Sequence, residues 1–504
     1  MRSKRVLKNL ITDILPMLLI SFLGIFKFKL FVKVLGQETQ GMYQLFTQIM
    51  IYISVVDGGL GSAVLHALYR PNTDNNQEQM NAILSGAKKV FSKLGILVYA
   101  IAFLASFFVP LLIKDNPFEY TYVILTFLLF ALSSVINYFF IPYQCLLEVK
   151  EERYVYNTIY QIGQILQSVL EIALLLMGMD FLLILFMHSV VRLGANAIIA
   201  IIAKKRFPQY NYHSEKKDYN FRHQIKHLMF HKINGLVGSN IDVLIITRFL
   251  GLTATNVYST YNYIVNMVKQ MMEKISSATL AILGNILSVN KEQAYKLFRE
   301  LNSMMFYIAT CICVPLLLAI NSFIDIWYEE MIETNWLIAG AFSGILFMTI
   351  VKIAITVFVH AAGLFEQTKK CAIADTIINL ILSFVLVQFM GISGVLIATG
   401  IAVFVAEYIM KTLVIHKEIF ECSSKTYFVR NIKFWVIALV DIIIGYKVIS
   451  YFDINHILVW FLVFAVYTVV NGVVILLIYK LFRETEFLKR FTYALKRRGI
   501  TNEG

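Results

Sequence analysis

The sequence has little of what a soluble or secreted protein depends on. Charged residues make up 15% of its 504 residues, and it contains only five cysteines and seven prolines. A soluble chain carries about 25% charged residues, so a soluble fold is excluded. Five scattered cysteines do not form a disulfide-rich scaffold, and seven prolines exclude a proline-rich linker protein.

Apolar residues are abundant instead. They make up 58% of the chain, including 39 Phe and 27 Tyr, and the mean hydropathy is +0.69. Soluble proteins are about 45–50% apolar. An excess of this size requires many runs long enough to span hydrocarbon, so we predict an all-α, polytopic membrane protein.

The apolar runs predict about 14 transmembrane helices. A helix needs about 20 residues to cross about 30 Å of hydrocarbon, and fourteen runs satisfy that length. The predicted spans are 10–33, 42–66, 89–113, 120–143, 155–178, 181–203, 228–250, 254–287, 300–324, 335–359, 371–390, 392–415, 433–452 and 456–480.

The spacing of these spans predicts four regions. An N-terminal six-helix lobe covers 1–203, a basic cytoplasmic linker covers 204–227, and a C-terminal six-helix lobe covers 228–415. Two extra helices and a basic cytoplasmic tail occupy 416–504. Most of the 45 Lys and Arg lie in segments that the predicted spans place on the same side of the membrane as the N-terminus. Because positive residues favour the cytoplasmic side, we expect both termini there and read the net charge of +13 as topology, with no nucleic-acid partner.

A short motif repeats along the chain. The pattern basic-x-Leu-Gly-x6-Tyr occurs at Lys33 to Tyr43 and again at Arg248 to Tyr258, an offset of 215 residues. Each copy ends an odd-numbered span and begins the next. We therefore expect two lobes of six helices as parallel pseudo-repeats, since an even number of spans gives both copies the same orientation.

Several charged residues lie inside the predicted spans. Such residues usually face a bundle interior or a water-filled cavity and are candidate functional residues. The candidate substrate-binding cations are Lys27, Arg192, Lys232 and Lys269. The candidate coupling or counter-charge groups are Asp57, Asp242 and Glu171.

Pairing among these charges is an open alternative to binding. Glu171 and Arg192 have similar predicted depths and could form an interhelical ion pair, while Lys269 and Glu273 are four residues apart on one helix. A purely structural network would account for part of the set. The run Asp57-Gly-Gly-Leu-Gly61 in span 2 favours either a bend or close helix packing.

Some functions are excluded by missing motifs. The chain has no phosphate-binding Gly-x4-Gly-Lys-Ser/Thr loop, so we expect no ATP hydrolysis and no cofactor, with H+ or Na+ gradients, membrane potential or the substrate gradient as the driving force. His223, His227 and His231 share a helix face without Cys or carboxylate ligands beside them. We predict an interfacial helix there rather than a metal site.

The sequence resembles the polysaccharide flippases of the MATE-like exporter superfamily, called the MOP superfamily. The likeness lies in Lys33 to Tyr43, in the Asp57-Gly-Gly-Leu run, in Asn240-Ile-Asp242 and in Arg248 to Tyr263. It implies two six-helix lobes around a central cavity that opens alternately to either side. It also implies, by position before Gly36, that Lys27 and Lys33 match basic residues in the first helix of the similar lipid II flippases.

The resemblance implies a function that composition does not. We expect a flippase that moves an undecaprenyl-diphosphate-linked oligosaccharide from the inner to the outer leaflet of a bacterial plasma membrane. Expected partners are this lipid-linked substrate, membrane lipids, and the polymerase and glycosyltransferases of the same pathway. The alternative is an ion-coupled multidrug exporter of the same fold. An enzyme is not expected, because the longest predicted outward loop is only about eleven residues long and membrane polymerases and glycosyltransferases usually place catalytic groups in a large one.

Overall fold

The computed structural model describes residues 2–221, 241–283 and 291–488, and in these ranges every regular element is a helix. Twelve of the predicted spans lie wholly within the described residues, the seventh is described from residue 241 onward, and the eighth is described as far as residue 283. In the described part of the chain, nine helical segments are long and apolar enough to cross a membrane, and one of these, Phe365–Phe420, contains two predicted spans. The prediction of an all-α multi-pass membrane protein is confirmed.

The chain forms two compact units, Met1–Asn256 (unit 1) and Val257–Gly504 (unit 2). The predicted lobe boundaries at 203 and 228 stay a prediction. Unit 1 contains α1 (Arg2–Leu35), α2 (Gln37–Ile53), α3 (Leu60–Thr73), α4 (Gln77–Ser106), α5 (Val109–Leu112), α6 (Tyr120–Val135), α7 (Ile141–Val149), α8 (Arg153–Leu176), α9 (Phe181–Arg206), α10 (Asp242–Leu250) and the start of α11 (Leu252–Leu283).

Unit 2 continues α11 and adds the remaining helices. These are α12 (Lys291–Tyr328), α13 (Trp336–Val351), α14 (Ile353–Ala361), α15 (Phe365–Ala402), a π-helix (Val403–Met410), α16 (Lys411–Ile415), a second π-helix (His416–Phe420), α17 (Lys425–Ile449) and α18 (Ile457–Leu481). Gly391, with φ 57° and ψ −133°, turns the chain within α15, so that this element holds span 11 and the first part of span 12.

Polar residues begin several of these helices, and apolar residues cover their outer faces. The Asp180 and Asn335 side chains accept hydrogen bonds from the backbone N–H groups of Leu182 and Leu337, which caps α9 and α13. Many large apolar side chains on the unit surfaces are exposed, and Leu462 on α18, for example, is 68% exposed. In a membrane protein such a surface faces lipid.

Two of the predicted spans in unit 1 are interrupted. A 3₁₀ turn, Ser54–Asp57, separates α2 from α3, and Gly58 and Gly59 follow it with φ values of 56° and 81°. A second 3₁₀ turn, Ile136–Phe139, separates α6 from α7. Because positive φ suits glycine, the glycine run of span 2 makes a bend and not merely a close helix contact.

The internal repeat is visible in the backbone and in the core. Gly36 has φ 87° and ψ 164°, and Gly251, 215 residues later, has φ 88° and ψ −175°. In unit 1 the rings of Phe46 and Phe127 pack 5.2 Å apart. The residues 215 positions later, Tyr261 and Phe342, form a ring pair in unit 2 at 5.9 Å.

The two copies of the motif meet within unit 1, where the start of α11 lies against α2. Thr253 donates to the Glu38 carboxylate at 3.3 Å, and Asn256 donates to Gln37 at 3.3 Å. Gly41 permits this approach, since a Cβ there would lie 2.1 Å from the carbonyl oxygen of Leu252. We call these contacts the α2–α11 joint.

Part of the predicted linker is fixed to unit 1. The backbone N–H groups of Asn211 and Ser214 donate to Asn81 and Ser85 of α4, both at 2.8 Å. Further along, the Asp218 N–H donates to the Ala82 carbonyl at 3.1 Å. Residues 207–221 therefore form a strap across one end of α4, and we use that name below.

The C-terminal helices α17 and α18 are anchored to α12 by buried polar contacts. Arg430 and Lys433 of α17 both bind Glu484, which follows α18 and is 9% exposed. Arg430 also donates to Ser303 of α12 at 2.7 Å. Near the other end, Trp460 donates to the Ala319 carbonyl at 3.1 Å.

Candidate functional site

The first charged cluster lies in unit 1 and joins three helices. Lys27 Nζ on α1 is 3.1 Å from Glu171 Oε2 on α8, and His188 Nε2 on α9 is 2.8 Å from the same oxygen. The Lys27 side chain is 23% exposed, whereas those of Glu171 and His188 are only 2% and 5% exposed. We call these three residues the Glu171 cluster.

The sequence of each helix sets the depth of this cluster. Lys27 lies roughly 12 Å from the end of α1, at about 1.5 Å per residue. Glu171 and His188 lie roughly 8 and 10 Å from the corresponding ends of α8 and α9 by the same measure. The three residues thus share a depth in the half of unit 1 where α1 ends, which allows their side chains to meet.

Arg192 does not occupy the place predicted for it. The sequence suggested an ion pair between Glu171 and Arg192, but the structure gives Glu171 the partners Lys27 and His188. Arg192 lies one helical turn beyond His188 on α9 and is half-buried. The charges of Lys27, Glu171 and Arg192 all act on the hydroxyl of Tyr43, which places them in one electrostatic neighbourhood.

Asp57 lies where the two interrupted spans of unit 1 meet. One carboxylate oxygen accepts a hydrogen bond from the Gly59 N–H at 2.9 Å and stabilises the bend. The other accepts from the hydroxyl of Tyr138 at 3.5 Å, and Tyr138 belongs to the 3₁₀ turn between α6 and α7. The carboxylate therefore links two breaks, each of which is a place where the helices can change their angle.

A polar chain continues from the second break, and the sequence reading missed it. Gln144 of α7 donates to Asn137 at 2.9 Å and to Asn196 of α9 at 3.2 Å. Asn196 in turn donates to the backbone carbonyl of Arg192 at 3.0 Å. Asn and Gln in apolar helices carry no charge to attract attention, so only their contacts reveal the network.

Asp242 begins α10 and is 5% exposed. A carboxylate in the first turn is favoured by the helix dipole, which is one reason that it tolerates burial. Its charge acts on Tyr52 of α2, against which α10 packs. The structure thus places Asp242 inside unit 1, on the helix that packs against α2.

A second charged cluster lies in unit 2. Glu407, in the π-helix Val403–Met410, is 3.5 Å from Lys352 and 2.6 Å from Lys411. The charges of all three act on Asp375 of α15. Lys352 stands between α13 and α14, so this cluster also lies at an interrupted span. A π-helix and a break in the same place are frequent at functional sites.

Lys269 belongs to the surroundings of this second cluster. It is half-buried on α11, and the charges of Lys352 and Glu273 act on it. Lys232, together with His223, His227 and His231, lies outside the described residues. In the part of the chain that is described, no group of three His, Cys, Asp or Glu residues could hold a metal ion.

The fold matches solved membrane transport proteins over most of the chain. A lipid II flippase, MurJ, in an inward closed conformation, matches with a TM-score of 0.70 at 15% identity, over 94% of this chain and 99% of that chain. A multidrug resistance MATE family transporter of the MOP superfamily, inward-facing, matches with a TM-score of 0.61 at 14% identity, over 81% and 98%. The MATE multidrug transporter DinF-BH matches with a TM-score of 0.53 at 15% identity, over 82% and 95%.

The chain therefore has the fold of MurJ and of the MATE transporters, which confirms at the level of fold the resemblance seen in the sequence. By name, these neighbours are a flippase and a transporter. No family model matches the chain, and no curated protein matches it.

Proposed function

We propose that the protein is a flippase for a lipid-linked oligosaccharide. The observation that carries the proposal is Lys27, a partly exposed lysine held inside a membrane-spanning unit, in a chain whose fold matches a lipid II flippase over 94% of its length. Burying a cation in this position has a large desolvation cost, and charged residues inside membrane proteins usually belong to functional sites.

The chemistry of the cations supports the proposed substrate class. A diphosphate linked to undecaprenol carries several negative charges on a small group, and Lys27 offers an ammonium group to bind it as a point charge. Arg192 adds a planar guanidinium that can bind two phosphate oxygens at once. Lys269 in unit 2 and Lys232 complete the proposed set of cations.

Transport proceeds by alternating access, from the inner to the outer leaflet of a bacterial plasma membrane, with both termini in the cytoplasm. The breaks at Asp57 to Gly59 and at Ile136–Phe139 supply the bending points in unit 1, and Lys352 marks one in unit 2. Asp57, Asp242 and Glu171 act as coupling or counter-charge groups. The polymerase and glycosyltransferases of the same glycan pathway act on the substrate before and after it moves.

An ion-coupled multidrug exporter is the rival function for this fold, and two of the neighbours above are multidrug transporters by name. Organic cations favour an acidic binding site. Lys27 is the accessible member of the Glu171 cluster, while the carboxylate of Glu171 is buried. That arrangement supports an anionic substrate.

The test is to measure lipid-linked oligosaccharide in each leaflet of cells that lack the protein and carry a variant. We expect Lys27→Ala to leave the substrate on the inner leaflet with normal total synthesis, and Lys27→Arg to restore export. Lys447→Ala is the matched control, since Lys447 is an exposed lysine in the last turn of α17. If cells with Lys27→Ala export the substrate normally but become more sensitive to drugs, the protein is a multidrug exporter and not a flippase.

A further inference from the structure

Glu171 forms an ion pair with Lys27, the lysine that the proposed function assigns to binding the substrate. Lys27 and His188 contact the same oxygen of Glu171, at 3.1 and 2.8 Å. A phosphate that binds Lys27 must therefore displace Glu171 or share the ammonium group with it. The cluster is a competition between an internal anion and an incoming one.

Glu171 cannot follow Lys27 towards a ligand or become solvated in place, because its side chain is 2% exposed. A buried carboxylate that loses its cation must find another or become neutral. Of the helices packed against α8, α1 contributes Lys27 and α9 contributes His188, with Arg192 one turn further along. The third, α7, carries Glu148, which contacts Arg153 and Tyr156 in the first turn of α8, away from Glu171. The side chains that act on Glu171 are Lys27 and His188, and the charges of Lys27, Glu171 and Arg192 act on Tyr43 of α2.

We propose that Glu171 holds Lys27 in the empty protein, and that His188 takes up one proton when Lys27 transfers from Glu171 to a phosphate. Before binding, the ammonium of Lys27 balances the carboxylate while neutral His188 donates its Nε2 hydrogen to it. After binding, the ammonium faces the phosphate and imidazolium faces the carboxylate. The proton comes from solvent, and no covalent bond other than the new N–H of His188 is made.

This inference rests on the proposed function for its ligand class, since it takes phosphate as the group that attracts Lys27. It adds a role for His188, which the sequence did not single out, and it makes Glu171 a positioning residue that sets affinity. Because binding takes up a proton, affinity for phosphate increases as the pH falls.

The experiment measures proton uptake on binding of farnesyl diphosphate to the purified full-length protein. Calorimetry in two buffers of different ionisation enthalpy gives the number of protons exchanged, after correction for the ionisation of the probe. We expect about one proton for the wild type and none for Glu171→Gln. Glu171→Gln should also bind about tenfold more tightly, because Lys27 is already released. His188→Gln keeps a hydrogen-bond donor but cannot be charged, so it should bind more weakly and with no dependence on pH beyond that of the probe.

Glu148→Gln is the matched control, since Glu148 is an acidic residue of the same unit that pairs with Arg153 at 3.3 Å. It should behave like the wild type. Equal affinity and equal proton uptake for the wild type, Glu171→Gln and His188→Gln would overturn the inference and leave the flippase proposal standing. If none of these forms, including Glu171→Gln, binds the probe, the proposed phosphate ligand is wrong and the inference falls with it.

Discussion

Lys27 and Asp242 occupy equivalent positions in the two copies of the repeat and carry opposite charges. Each lies nine residues before a glycine of positive φ, Gly36 and Gly251. Lys27 pairs with a buried carboxylate, whereas Asp242 is itself buried at a helix start. The scaffold is therefore repeated at this position while the charge that it carries is not.

Removing Lys27 should destabilise the protein through the carboxylate that it leaves behind. We expect Lys27→Ala to lower the free energy of unfolding by about 1–3 kcal/mol, less than for a fully uncompensated buried charge, because His188 still contacts the carboxylate. Adding Glu171→Gln to that variant should recover most of the loss, because the charge is removed with its partner. Thermal unfolding in detergent measures both. Strictly additive effects of the two substitutions would contradict a buried pair.

A methyl group at Gly86 should detach the strap. The Cβ of an alanine there would lie 2.1 Å from the carbonyl oxygen of Asp218. We expect Gly86→Ala to speed hydrogen exchange in residues 207–221 by about tenfold, since hydrogen bonds worth roughly 1 kcal/mol each are lost. Gly194→Ala is the control, because no atom lies within 4 Å of a Cβ at that helical position. Unchanged exchange in Gly86→Ala would show that the strap is not held there.

Glu484 should make the attachment of the C-terminal helices depend on pH. Burial raises the pKa of Glu484, but the hydrogen bonds and charges of Arg430 and Lys433 outweigh it and lower the pKa from 4.5 to about 2. A folded pKa below the unfolded one contributes stability above pH 4.5 that is lost as the pH falls towards 2. At pH 7, Glu484→Gln should cost about 1–3 kcal/mol. The difference in unfolding temperature between the wild type and Glu484→Gln should become smaller below pH 4.5. A difference that does not change with pH would contradict the lowered pKa of Glu484.

Native cysteines offer a test of the predicted orientation. Cys422 is exposed in the segment between α16 and α17, whereas Cys145, Cys313 and Cys371 are buried and Cys311 is partly buried. We expect a membrane-impermeant maleimide to label Cys422 only after cells are permeabilised. In a Cys422→Ser background, Glu333→Cys should be labelled in intact cells, because the predicted topology places residue 333 on the outer side. The reverse pattern would invert the topology.

The helices could be predicted from the sequence because long apolar runs determine them, and Gly36 and Gly251 marked their ends in both copies. The contacts of the candidate site were harder to predict from the sequence than the helices were. Depth along a helix follows from 1.5 Å per residue, but the direction of a side chain depends on packing. Depth alone therefore makes Arg192 a possible partner of Glu171, whereas His188, one turn away, makes the contact. The break at Lys352 has no glycine or proline to signal it.

The α2–α11 joint has a consequence for how the two copies of the repeat are related. A shift of 215 residues converts Gln37, Glu38 and Gly41 into Leu252, Thr253 and Asn256. Glu38 thus touches its own counterpart, and the other two contacts exchange with each other. An isologous interface between identical subunits has this property around its twofold axis. The contacts of the joint follow this exchange pattern, which agrees with the parallel pseudo-repeats predicted from the sequence.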